Sequence, residues 1–152
     1  MAKVGRAARV ASRQRVETVT GNKTIASAET GELYLVSAAA VITLPAVQDG
    51  AYFKFILVDA ISAATAFRIN AAGSAKMKGA VASIVKNNSG AATVELRNNA
   101  VSDGSAATHI KMGDASHNVE EGTVIECFCD GTNWIVTGTV MISNAAAKAL
   151  FA

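Results

Sequence analysis

Along residues 124–137, reading VIECFCDGTNWIVT, two apolar runs flank an Asp-Gly pair, a pattern that predicts a β-hairpin. Asp130-Gly131 is expected to be its two-residue turn, because positive φ values there match the twist of paired strands. On the first arm Ile125, Cys127 and Cys129 fall on one face, while Glu126 and Phe128 fall on the other. With a single charge among these apolar groups, both faces of the strand are expected to be covered. The returning arm carries the lone tryptophan, Trp134, beside Ile135 and Val136, a composition suited to a packed, pleated surface.

Upstream the same alternation marks short strands at 16–20 (VETVT), 24–28, 32–37 (ELYLVS) and 41–44, the last ended by Pro45, the only proline. In AYFKFILVDA, Tyr52, Lys54, Ile56 and Val58 oppose Phe53, Phe55, Leu57 and Asp59, and this segment reads as the central strand. Further strands are expected at 66–70, 80–86, 92–97 and 108–112, each bounded by Gly, Asn or Ser. About ten short strands with turn signals between them imply an all-β fold, a β-sandwich or jelly-roll-like single domain. The only helical prospect, 144–150, is too short to stand alone.

A chain of 152 residues suits one domain with its own core. Hydrophobic residues reach 51% but aromatics only 5%, so the expected core is thin and rich in small side chains, and association would bury further apolar area. Charge divides the chain more sharply than the total of +2 suggests. Residues 1–15 hold Lys3, Arg6, Arg9, Arg13 and Arg15 without an acid, whereas the remaining 137 residues hold nine bases and twelve acids, a balance of 9 − 12 = −3. The expected organisation is a flexible basic N-terminal arm (1–15), a β-sandwich domain (16–143) and a short C-terminal tail (144–152). No signal-peptide pattern and no apolar run of about 20 residues is present, so synthesis in the cytoplasm and no membrane association are expected.

Candidate chemistry adds little. Cys127 and Cys129 lie about 6.7 Å apart on one strand with parallel Cβ vectors, which disfavours a disulfide and leaves reduced, structural thiols. Zinc needs more ligands than these two supply, and neither His109 nor His117 has the usual ligand spacing, so no metal or other cofactor is expected. The segment His109-Ile110-Lys111-Met112-Gly113-Asp114 has no nucleophile or paired carboxylate near it and reads as a surface loop. No phosphate-binding glycine loop occurs, and no enzyme activity is expected. Trp134 beside Asp130 and Asn133 could form a sugar platform, but core or interface packing is the stronger reading for an indole. The arm lacks aromatics for base stacking and precedes an acidic domain, so an acidic protein surface suits it better than nucleic acid.

Ile42-Thr43-Leu44-Pro45 with Gly50 and Phe53, followed by Ile125-Glu126-Cys127 and Asp130-Gly131-Thr132-Asn133-Trp134, resembles a pattern found in small capsid decoration (cement) proteins of tailed bacteriophages. The likeness spans roughly residues 17–143. It implies a β-sandwich that assembles as a homotrimer on the outer surface of the capsid, bound to the phage major capsid protein. On that reading Lys3, Arg6, Arg9, Arg13 and Arg15 are candidate capsid-binding residues, and Phe53, Phe55, Phe128 and Trp134 are candidates for core or trimer packing. Similar strand and turn text occurs in phage tail-fibre modules, and a receptor-binding module for host glycans is the alternative.

Overall fold

The computed structural model describes residues 14–62, 67–86, 94–112 and 118–143, together with Phe151. Within them the chain forms strands β1 (Val16–Val19), β2 (Lys23–Thr24), β3 (Leu33–Val36), β4 (Val41–Thr43), β5 (Tyr52–Leu57), β6 (Phe67–Asn70), β7 (Lys76–Lys86), β8 (Val94–Asp103), β9 (His109–Met112), β10 (Val124–Cys129) and β11 (Asn133–Ser143), with one 3-10 turn at Ser27–Glu29. The fold is all-β and two-sheeted, as the alternating pattern requires. The arm through Arg13 and the helical prospect at 144–150, within the expected C-terminal tail, lie outside the described residues.

The seven-stranded sheet runs β1-β3-β5-β10-β11-β7-β8 and the four-stranded sheet β2-β4-β6-β9. Odd strands β1, β3 and β5 lie parallel in the larger sheet, and even strands β2, β4 and β6 lie parallel in the smaller one. Each short connection therefore carries the chain across to the other sheet instead of folding it back as a hairpin. The second half closes this coil. Strand β9 pairs antiparallel with β6, the β10–β11 hairpin adds antiparallel to β5, and β7 lies parallel to β11 with β8 outside it. A jelly roll is antiparallel, whereas five of these nine pairings are parallel, so that part of the expectation gives way to a parallel coil.

The inner faces of both sheets meet in one apolar cluster. Phe53, Phe55 and Leu57 of β5 and Ile125, Cys127 and Cys129 of β10 enter it from the larger sheet, and Ile42, Phe67, Ile69 and Ile110 from the smaller. The few aromatics are concentrated rather than thinly spread. Tyr34 stacks on Phe55 with centroids 5.3 Å apart and also meets Phe53, whose ring lies 5.7 Å from that of Trp134. Such ring pairs add about 0.5–1.5 kcal/mol each beyond their buried area. The central strand of the seven is β10, and β5 is its neighbour.

Two glycines let the strands beside this core approach. Gly79 of β7 has φ +136°, and a Cβ there would lie 2.0 Å from the Val136 carbonyl oxygen. Gly138 of β11 has φ +151° and faces the Val124 carbonyl equally closely. Any larger residue would push β11 away from its neighbours.

Candidate functional site

The β10–β11 hairpin sets the geometry of the larger sheet's outward face. Its tip is Gly131-Thr132, one residue later than expected, because Asp130 N–H donates to the Asn133 carbonyl. The Asp130 carboxylate instead accepts the N–H groups of Thr132 and Asn133 at 3.0 and 2.7 Å. Lys78 Nζ lies 2.7 Å from its other oxygen, and this ion pair with the two amides holds the Asp130 carboxyl down at about 2. The charged corner of the turn is thus satisfied within the chain.

Register then decides which side chains look outward. Phe128 stands between Tyr52 and Ile135, Glu126 between Lys54 and Thr137, and Val124 between Ile56 and Thr139. Leu33 and Leu35 of β3 extend the surface beyond Lys54 and Ile56. These side chains are half-buried apart from the exposed Thr137 and Phe128, the latter 43% exposed. Among the described residues this face has no covering layer, so the expectation that both faces of β10 are buried is corrected, and Phe128 is not a core residue. Strand periodicity separates the two faces, but a single charge in six residues does not show which is covered. Phe53, Phe55 and Trp134 are core residues, each at most 1% exposed.

Charge on this face is internally cancelled. Lys54 Nζ lies 2.9 Å from Glu126 Oε1. That hydrogen bond raises the Lys54 ammonium and lowers the Glu126 carboxyl from their ordinary values, helped at Glu126 by the Tyr52 hydroxyl. With Lys78 and Asp130 also paired, the surface offers an apolar area of near-zero net charge.

Lys3, Arg6, Arg9 and Arg13 lie outside the described residues. Arg15, grouped with the arm by its charge, is held against the domain. Its carbonyl accepts the Leu33 N–H, and its Nη1 lies 2.9 Å from Glu32 Oε1, within ion-pair range though without a directed hydrogen bond. Glu32 belongs to a carboxylate group with Glu17 and Glu29 that sequence spacing did not reveal. Lys23 Nζ sits 3.0 Å from both Glu17 and Glu29, so together with Arg15 at Glu32 two cations of the chain offset two of the cluster's three carboxylate charges.

Trp134 is fully buried, and its indole N–H has no acceptor, so it offers no platform to a sugar. Cys127 and Cys129 are free and buried, and burial pushes the Cys127 thiol well above its ordinary range, as in an inert structural thiol. His109 and Lys111 lie on β9 rather than in a loop, while Gly113 and Asp114 fall outside the described residues. A groove of about 520 Å³ between Ala46, Gly73 and Thr132 is lined mostly by small side chains, with Lys76 its one charged group. The chain matches no protein-family model, no curated protein and no solved structure.

Proposed function

We propose that this protein is a structural component of a phage particle, a decoration protein that binds the outside of the head as a homotrimer and adds contacts between major capsid subunits. The observation that carries this reading is the outward face of the larger sheet, which has no covering layer among the described residues. A surface bearing Phe128, Tyr52, Ile56, Val124 and Ile135, with its charges paired internally, suits a second copy of the same chain better than a charged partner. The resemblance of the Ile42–Pro45 and Ile125–Trp134 segments to decoration proteins supplies the location. The function so read is assembly without chemistry, with neither enzyme activity nor cofactor.

On this reading the basic arm anchors the trimer to an acidic capsid groove. Size exclusion with light scattering is expected to give about three times 15.5 kDa. Deleting residues 1–13 is expected to preserve circular dichroism and the trimer while weakening attachment to expanded heads, most clearly at low salt, since exposed charges are screened beyond about 8 Å at physiological ionic strength. A truncated chain that binds heads as tightly as the intact one at every salt concentration would remove the arm from the mechanism. The tail-fibre alternative loses its aromatic platform with the burial of Trp134, and a glycan array with no specific hits would weigh against it further.

A further inference from the structure

The smaller sheet has an outward face of opposite character. Antiparallel pairing of β6 with β9 sets Arg68 beside Lys111 and Asn70 beside His109, and parallel pairing sets Val41 and Thr43 of β4 alongside. Arg68 Nη2 lies 2.7 Å from His109 Nε2. An arginine can only donate, so this nitrogen carries a lone pair and the imidazole proton resides on Nδ1, 3.5 Å from Thr108 Oγ1. Burial, then the Arg68 and Lys111 charges, hold the imidazole below its ordinary value. Lys111 is exposed.

Among the described residues no carboxylate answers these cations. Elsewhere in the domain Arg15, Lys23, Lys54 and Lys78 each have a carboxylate oxygen within 3.0 Å. Arg68 and Lys111 have none within 4 Å among the described residues. Val41, Thr43 and Thr24 bring no titratable group from β4 and β2. A guanidinium that donates to an imidazole while its Nε is buried without an acceptor, with a second cation across the strand pair, is unfavourable in isolation. An incoming carboxylate would relieve it by accepting from Arg68 and Lys111.

We propose that the outward face of the four-stranded sheet, around Arg68, His109 and Lys111, is a docking surface for the carboxylates of an acidic protein segment. This rests on the decoration reading for the partner's identity but not for its chemistry. It gives the folded domain a contact of its own, separate from the basic arm and on the other sheet from the proposed self-association surface. Its salt dependence should add to that of the arm.

The test is a proton NMR titration of the His109 ring in the full-length protein, with and without millimolar hexaglutamate. A bound carboxylate near the ring is expected to raise the His109 midpoint by about one pH unit. In R68Q/K111Q, and more weakly in K111Q alone, that shift should vanish while the melting curve stays near that of the parent. The arm is intact in both variants, so peptide held by the arm alone would leave His109 unmoved. An unchanged midpoint at millimolar peptide, or an equal shift in the double variant, overturns the proposal. So does a response to inorganic phosphate with none to hexaglutamate, which would make the face a small-anion site. Head binding is not the readout, so failure here leaves the decoration reading standing, and loss of that reading leaves the titration result intact.

Discussion

Replacing Phe128 with Ser separates assembly from folding. With 43% of the residue exposed and aromatic side chains burying about 150–250 Å², roughly 65–110 Å² remains to be covered by a partner. At about 25 cal/mol per Å² this is worth ~1.6–2.7 kcal/mol per copy, or ~5–8 kcal/mol when all three copies of a trimer lose it. That is an upper bound, since association also orders the side chains it covers. Within the subunit the loss is confined to cross-strand packing with Tyr52 and Ile135, about 0.2–1 kcal/mol per pair. Sedimentation equilibrium from nanomolar to micromolar concentration should find Phe128→Ser shifted to monomer with its circular dichroism unchanged. Val47→Ser, an exposed valine in the loop after β4, should stay assembled and serves as the control. A Phe128→Ser protein that remains trimeric with the parent's concentration dependence would refute the assignment of this face.

Other expectations follow from the core and its charges. Trp134→Ala should cost about 3–5 kcal/mol in thermal or urea unfolding, whereas Trp134→Phe should be much milder because it removes an N–H that has no acceptor. Gly79→Ala should lower the melting temperature more than Gly50→Ala, since a Cβ at 79 collides with the Val136 carbonyl while Gly50, also at positive φ, faces open space; equal effects would contradict the close approach of β7 and β11. His109 is depressed in the folded state, so below its ordinary value near 6.5 the unfolded chain binds more protons, and stability present above that pH falls as the solution is acidified. His109→Asn should flatten the stability profile between about pH 7 and 5. The lowered Glu29 and Glu126 leave a separate loss of stability at more acidic pH.

Much of the strand inventory was legible because it rests on period-2 alternation and turn residues, which are local. Strands β5, β6, β9 and β10 lie close to the expected segments. Strand β7 begins at Lys76, earlier than expected, because KMKG carries no strand signature and is held by its parallel register with β11. The expected strand at 24–28 shrinks to Lys23–Thr24, and Ser27–Glu29 turns instead, its end tied down by Glu29 accepting from the Ala26 N–H and from Lys23. Parallel coiling was not legible, since alternation along a strand says nothing about the direction of its neighbour. Nor was the covered face of β10, where both sides are largely apolar. The Arg68 and His109 pair was hidden for another reason, since its members are 41 residues apart and meet only through the β6 and β9 register.

The most direct test of the proposed function is electron cryomicroscopy of expanded heads prepared with and without this protein. Added density is expected on the outer capsid surface, in three-fold clusters over junctions between major capsid subunits, each cluster fitting three copies joined through the larger sheet's outward face. Density confined to the tail, or heads that look the same with and without the protein at saturating concentration, would contradict it.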